Sequence, residues 1–253
     1  MRILAIEASG MVASCAVADE NAIIGEFTIN NKKTHSQTLL PMVDELLKRL
    51  EMKVSDMDAF AISKGPGSFT GLRIGSATVK GFALALDKPV VEVPTLQALA
   101  ADIAQTEKLI CPLIDARNEN VFAGIYSYKN EFAKIKDDVS GDAGTGTEFQ
   151  NVIPESIEPD MALDIRTVCG KLNGYGREVI FLGDGAKVYR SIIEEEMKTK
   201  YCFAGNNNLM PRAASCAFLA VRYYNEGHII KGDLHAPEYL KKSQAERNLG
   251  KQP

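Results

Sequence analysis

Residues 63–75 read Ser63-Lys64-Gly65-Pro66-Gly67-Ser68-Phe69-Thr70-Gly71-Leu72-Arg73-Ile74-Gly75. An apolar run at 59–62 precedes the turn and a helix-like segment comes after Phe69, so the stretch reads as buried strand, tight turn, helix. Gly65 and Gly67 allow backbone angles that side chains resist, and Pro66 fixes its own φ. Ser68 or Thr70 is placed to cap the helix by accepting from its free N–H groups. Gly67, Gly71 and Gly75 then recur at a spacing of four. Glycine inside a helix costs about 1 kcal/mol relative to alanine. A second backbone close to this face is the expected compensation.

Two readings compete for the turn. A Gly-rich turn into a helix N-terminus presents free N–H groups and a positive dipole end, as an anion site would. Tight packing on the chain's own sheet or on a partner explains the same glycines and is preferred. The phosphate-loop pattern fails because Leu72 and Arg73 stand where Lys and Ser/Thr are needed. The dinucleotide pattern fails as well, since Gly65, Gly67 and Gly71 give G-x-G-x-x-x-G.

Working outward, 1–6 begins as a strand, 14–18 and 23–29 come after it across short turns, and the three make an antiparallel meander. A helix comes next. Leu39, Val43, Leu46 and Leu50 fall on one of its faces, with Thr38 as a cap and Pro41 in the first turn. Residues 89–93 read as a strand and 95–104 as a helix, completing β-β-β-α-β-α-β-α. Further on, 109–114, 120–128 and 179–182 read as strands, and 186–198 and 212–225 as helices, the last ended by Gly227. Residues 156–172 are ambiguous, 139–150 read as a loop, and 233–253 as a polar surface arm. This gives an α/β chain with a domain at 1–104, a second at 105–211, and a helix and tail at 212–253 returning towards the first.

The 253 residues carry a net charge of −4, which argues against a general electrostatic trap for nucleic acid. Five scattered cysteines form no C-x-x-C pair and suit a reducing compartment, so a cytoplasmic protein is expected. No apolar run approaches membrane-spanning length. The three histidines, His35, His228 and His235, include no i, i+4 pair, so no metal site built on them is expected. A Ser-His-Asp or Cys-His nucleophile assembles in space and stays open, although Gly67-Ser68-Phe69-Thr70-Gly71 is not the G-x-S-x-G elbow. Candidates for a ligand cleft stand at strand ends: Glu7 and Ser9, Asp115 and Arg117, and Asp184 between Gly183 and Gly185. Each has a local alternative, as a hairpin turn, an ion pair or a helix cap.

Taken in order, Ile3-Leu4-Ala5-Ile6-Glu7-Ala8-Ser9, the helix start from His35-Ser36 to Leu40-Pro41, the glycine run above, Ile114-Asp115-Ala116-Arg117, Gly183-Asp184-Gly185 and Pro237-Glu238-Tyr239-Leu240 closely resemble the TsaB (YeaZ) family. The resemblance implies an actin-like ATPase fold (ASKHA, ribonuclease H-like) of two related mixed-sheet α/β domains. It implies a non-catalytic subunit, without cofactor, in formation of threonylcarbamoyladenosine on tRNAs reading codons that start with adenine. In that pathway a transferase, TsaD, receives threonylcarbamoyl-adenylate, and an ATPase, TsaE, acts with both. TsaD carries a metal-binding His-x-x-x-His, whereas the corresponding Thr95-Leu96-Gln97-Ala98-Leu99 has no histidine.

The resemblance also implies that the helices holding Leu39, Val43, Leu46 and Leu50 and Gly71, Gly75, Thr78 and Phe82 dock TsaD, or a second copy when TsaD is absent, with tRNA met only through the complex. On that expectation Asp at Gly75 or Leu46 breaks the complex and leaves the monomer folded. Glu7 stands where actin-like ATPases often carry Asp, which speaks against autonomous ATP hydrolysis. The rivals are an actin-like small-molecule kinase or ATPase and a peptidase.

Overall fold

Five strands, β1 (Arg2–Glu7), β2 (Ala13–Asp19), β3 (Ile23–Ile29), β4 (Ala59–Gly65) and β5 (Val90–Pro94), form a first sheet in the order β3-β2-β1-β4-β5. The pairs β1/β2 and β2/β3 are antiparallel, while β1/β4 and β4/β5 are parallel. A second sheet holds β6 (Leu109–Asp115), β7 (Asn120–Ser127), β8 (Glu155–Asp164), β9 (Val179–Leu182) and β10 (Tyr201–Phe203), in the order β10-β9-β6-β7-β8. Its β6/β7 and β7/β8 pairs are antiparallel and its β6/β9 and β9/β10 pairs parallel. The second sheet therefore repeats the first strand for strand. This is the pair of related mixed-sheet α/β units that the resemblance implies. The computed structural model describes residues 1–31, 34–128 and 152–241, so the loop expected at 139–150, with the Gly-rich stretch 141–146, lies outside the described residues.

Strand alternation decides the layers. On β1, Ile3 and Ala5 face one cluster and Leu4 and Ile6 the other, because successive side chains point to opposite faces. Helices α1 (His35–Arg49) and α2 (Phe69–Leu86) cover the Leu4 side. The other side is covered by α7 (Ala213–Asn225), whose small residues Ala213, Ala217 and Ala220 pack on the sheet. The C-terminal helix has thus returned to the first sheet. Helices α4 (Ile165–Tyr175), α5 (Asp184–Val188) and α6 (Arg190–Glu196) lie on or beside the second sheet. Between the sheets sits α3 (Thr95–Ala100), with Ala98 in the first core and Leu96 and Leu99 in a core of the second.

Some boundaries differ from expectation. Helix α1 starts at His35, after Thr34 in extended conformation, so Pro41 falls inside the helix. Thr38 instead donates to the Thr34 carbonyl at 3.2 Å. The helix expected at 186–198 is two helices, broken at Tyr189, whose φ of −104° is not helical. The ambiguous 156–172 divides into β8 and α4 at Asp164, which caps α4 by accepting from Arg166 N at 2.9 Å. All five cysteines are free, four of them buried and Cys202 half-buried. Burial pushes the Cys15 thiol up to about 12 and raises Cys111 and Cys216 as well. No helix among the described residues is long and apolar enough to cross a membrane.

Candidate functional site

The turn after β4 is pressed against the turn after β1. Ser68 N donates to the Ser9 carbonyl at 2.6 Å, and Ser68 Oγ caps α2 by accepting from Gly71 N at 3.3 Å. A Cβ on Gly67 would overlap the Ser9 backbone, and one on Gly71 the Ala8 carbonyl oxygen. At Gly75 it would stand 3.0 Å from Ile62 and 3.2 Å from Ala8. The backbone that these glycines admit is the chain's own. It arrives from the end of β1.

Beside this junction lies a cleft of about 470 Å³ between the two sheets, walled by Ser9, Gly67, Thr70, Asp115, Arg117 and Asp184 and by residues 238–241. The topology explains the convergence: β1, β6 and β9 all run towards this edge, so the turns at their C-terminal ends meet there. Most of the candidate cleft residues are therefore neighbours. Glu7 is not among the wall residues. Alternation puts it on the same face as Ile3 and Ala5, fully buried, where Ser9 N (2.6 Å), Ser9 Oγ (2.5 Å) and Ser63 Oγ donate to its carboxyl. Burial raises its pKa against those bonds.

The two cleft aspartates hold backbone. Asp184 accepts from Asp115 N at 3.0 Å, while Asp115 accepts from Arg117 N at 2.8 Å and from the Tyr189 hydroxyl at 2.7 Å. Desolvation pushes the Asp184 carboxyl up. Gly183, at a φ of +91°, and Gly185 let this turn close on the Leu113 backbone. These bonds tie the β6–β7 turn, where Arg117, Asn118 and Glu119 are all left-handed, to the start of α5. Among the described residues no three His, Cys, Asp or Glu side chains converge as metal ligands would.

The tail is part of the site, which the sequence reading as a surface arm missed. His235 is 1 % exposed; its Nε2 lies 2.7 Å from Ser76 Oγ and its Nδ1 2.6 Å from Glu92 Oε1. That hydrogen bond from His235 holds the Glu92 carboxyl below its usual range. Acid, imidazole and hydroxyl stand in the order of a hydrolytic triad. Ser76, however, is 6 % exposed in the middle of α2 and is not among the residues that wall the cleft, so a substrate carbonyl has no approach to it. His35, which opens α1, lies with Nε2 3.0 Å from the Gly10 carbonyl and braces the β1–β2 turn.

Between β7 and β8, Tyr126 donates to Asp160 at 2.6 Å. Burial, only partly offset by that bond, pushes the Asp160 carboxyl up to about 6. An unfolded Asp titrates near 3.9, so the native state holds the extra proton between about 4 and about 6. Stability therefore falls as pH rises through that window. Asp160→Asn is expected to stabilise the chain at pH 8 by roughly 1–2 kcal/mol, the gain shrinking towards zero as pH is lowered from 6 to 4. Urea unfolding across that pH range checks both size and sign.

On the outer helices, Leu39, Val43 and Leu46 are exposed by only 1, 2 and 2 %, and they pack with half-buried Leu50 on Leu4, Ile6 and Val17. The leucine face is turned inward because the sheet beneath α1 needs a cover. Aspartate at Leu46 or Gly75 would therefore break the domain's own core before it tested any docking. To solvent α1 presents Leu40, Pro41 and Asp44. Helix α2 presents Ala77, Gly81 and Ala85, one turn apart, with Leu84 beside them at 63 % exposure. A Cβ at Gly81 would meet nothing within 4 Å. Thr78 and Phe82 are half-buried at the shoulder of this ridge, Phe82 with its ring 5.5 Å from that of Phe60.

Comparison with known proteins gives one consistent family. The family model described as TsaD: tRNA N6-adenosine threonylcarbamoyltransferase matches residues 22–249. The tRNA threonylcarbamoyladenosine biosynthesis protein TsaB of Bacillus subtilis (strain 168) is 31% identical over 246 residues, covering 97% of this chain and 96% of that protein. The protein of the same name from Escherichia coli (strain K12) is 27% identical over 252 residues, covering 98% of each. The solved structure of YeaZ from Pseudomonas aeruginosa superposes with a TM-score of 0.75 at 25% identity, covering 94% of this chain and 99% of that one.

Proposed function

The chain belongs to the TsaB family, and from that premise we propose that it acts in threonylcarbamoyladenosine formation on tRNA as a docking subunit that supplies no reactive group. Its partner on this reading is a TsaD-type transferase, assisted by the ATPase TsaE, and the docking surface is the outer face of α1 and α2.

The observation that carries the reading is the ridge of α2. Ala77, Gly81 and Ala85 leave a smooth strip on an 18-residue helix, flanked by exposed Leu84 and half-buried Ile74 and Phe82. Small residues let a second helix approach closely, and the apolar flanks supply the area such an approach buries. Helix α1 packs beside α2 and extends the strip with Leu40 and Pro41. The cleft supports the same reading from the other side. Asp115 and Asp184 are occupied with backbone and Glu7 faces away, so the residues an ATPase would use are committed to holding turns.

The test is reconstitution. TsaD, TsaE, tRNA and threonylcarbamoyl-adenylate are expected to yield modified nucleoside at a useful rate only when this chain is added, and the chain without TsaD none at all. Nucleoside formed by the chain without TsaD, or steady ATP turnover by the isolated chain, would sink the reading.

A further inference from the structure

The segment 235–241 crosses from one half of the molecule to the other at the cleft mouth. Its first anchors are on the first half. His235 is held by Ser76 of α2 and Glu92 of β5. Glu238 N donates to the Lys64 carbonyl at 2.7 Å, and its carboxylate lies 3.3 Å from Lys64 Nζ. Gly65, at a φ of +122°, leaves no Cβ in the path of the Glu238 carbonyl. The Tyr239 ring lies 4.5 Å from that of Phe69, and Arg73 Nε donates to its hydroxyl at 3.3 Å.

The last anchors are on the second half. Leu240 packs with Ile114, Phe122 and Leu182, and Lys241 Nζ donates to the Ala116 carbonyl at 3.0 Å. Two α/β halves flanking a cleft commonly close by hinge motion around a bound ligand. Here a stretch of the chain itself makes contacts to both rims and forms a wall of the space between them.

We infer that 235–241 is a built-in clamp, which takes the place of a ligand in holding the two halves at one angle and must let go of the second half before the cleft can open. The inference concerns the isolated chain and stands apart from any partner. His235 seats the clamp on the first half. Leu240 and Lys241 are the latch.

The experiment is hydrogen exchange by mass spectrometry on the full chain, comparing it with Leu240→Asp, which puts a carboxylate among Ile114, Phe122 and Leu182 and leaves the His235 anchor in place. The readout is at residues 9–12 and 183–186, which lie outside the clamp's anchoring hydrogen bonds and the Tyr239 ring contact. Both are expected to exchange at least about tenfold faster in the variant, with the centres of β2 and β9 unchanged, as sub-global opening requires. Faster exchange confined to 237–241 and the directly touched 64–70, 73, 114–118, 122 and 182 would overturn the inference, because the segment would then be a cover and nothing more. Should Leu240→Asp loosen β2 and β9 too, Lys241→Ala, which removes the bond to the Ala116 carbonyl on the second half, is read by the same rule.

Discussion

Replacing Gly71 with alanine is expected to cost the chain about 3 kcal/mol or more, although the residue lies in a helix where alanine is ordinarily the better choice. The new methyl group would overlap the Ala8 carbonyl oxygen, which is backbone at the end of β1 and has no rotamer to escape into. Relief requires α2 to lift from the sheet, taking with it the Ser68–Ser9 hydrogen bond and the packing of Leu72 and Val79. Gly75→Ala should be milder, at about 1–2 kcal/mol, because the first atoms met are Ile62 Cδ1 and Ala8 Cβ at 3.0 and 3.2 Å and the isoleucine can turn. Gly81→Ala should go the other way and stabilise by roughly 0.5–1 kcal/mol, since nothing stands within 4 Å and only helix propensity changes. Urea unfolding of the three variants measures the series. A Gly71→Ala protein as stable as the parent would show that the junction of β1 and α2 is looser than described.

The second large effect concerns association. Ala77→Glu and Leu84→Glu are each expected to weaken binding to a TsaD-type partner at least about 100-fold, equivalent to about 2.7 kcal/mol. The carboxylate would be buried against the approaching helix without a counter-charge. Both side chains face solvent in the isolated chain, so its stability should move by less than about 0.5 kcal/mol. Calorimetric titration gives the first number and thermal unfolding the second. Affinity unchanged by both substitutions would remove the outer face of α2 from the proposed interface. Asp44→Ala, on the exposed side of α1, tests how far the surface extends along the neighbouring helix.

The first half of the fold is legible in the sequence because its elements are punctuated. The apolar runs of β1 and β4 end in glycine-bearing turns, and α2 has its cap at Ser68. Periodicity also shows that α1 has a buried face, but it carries no information about what does the burying. That is why Leu39, Val43 and Leu46, expected on a partner surface, lie on the chain's own sheet. The outward strip of α2 is silent in a hydrophobic pattern, being made of alanine and glycine. In the second half, β10 has three residues, too few to show alternation, and β8 is half-exposed along its length.

The cleft is legible in part for a topological reason. Ser9, Asp115 and Asp184 each stand at or just after the end of a buried strand, and such ends gather at one edge of a parallel arrangement. Glu7 has the same sequence signature, but its place in the alternation sends its carboxyl to the α7 side. The anchors of 235–241 leave no period to find. Its contacts are spread over α2, β4, β5 and the β6–β7 turn, and a single histidine such as His235 has no spacing that would mark it.

The sheltered sulfurs have a practical consequence. Thiolate is the reactive form, and burial in Cys15, Cys111, Cys169 and Cys216 keeps it scarce at neutral pH. A cysteine introduced at Ala77 or Leu84 would thus outpace the native ones towards a maleimide, with half-covered Cys202 the one competitor to check. Maleimide labelling of the outer helix can then report protection by a bound partner, without first stripping the natural sequence of its sulfur.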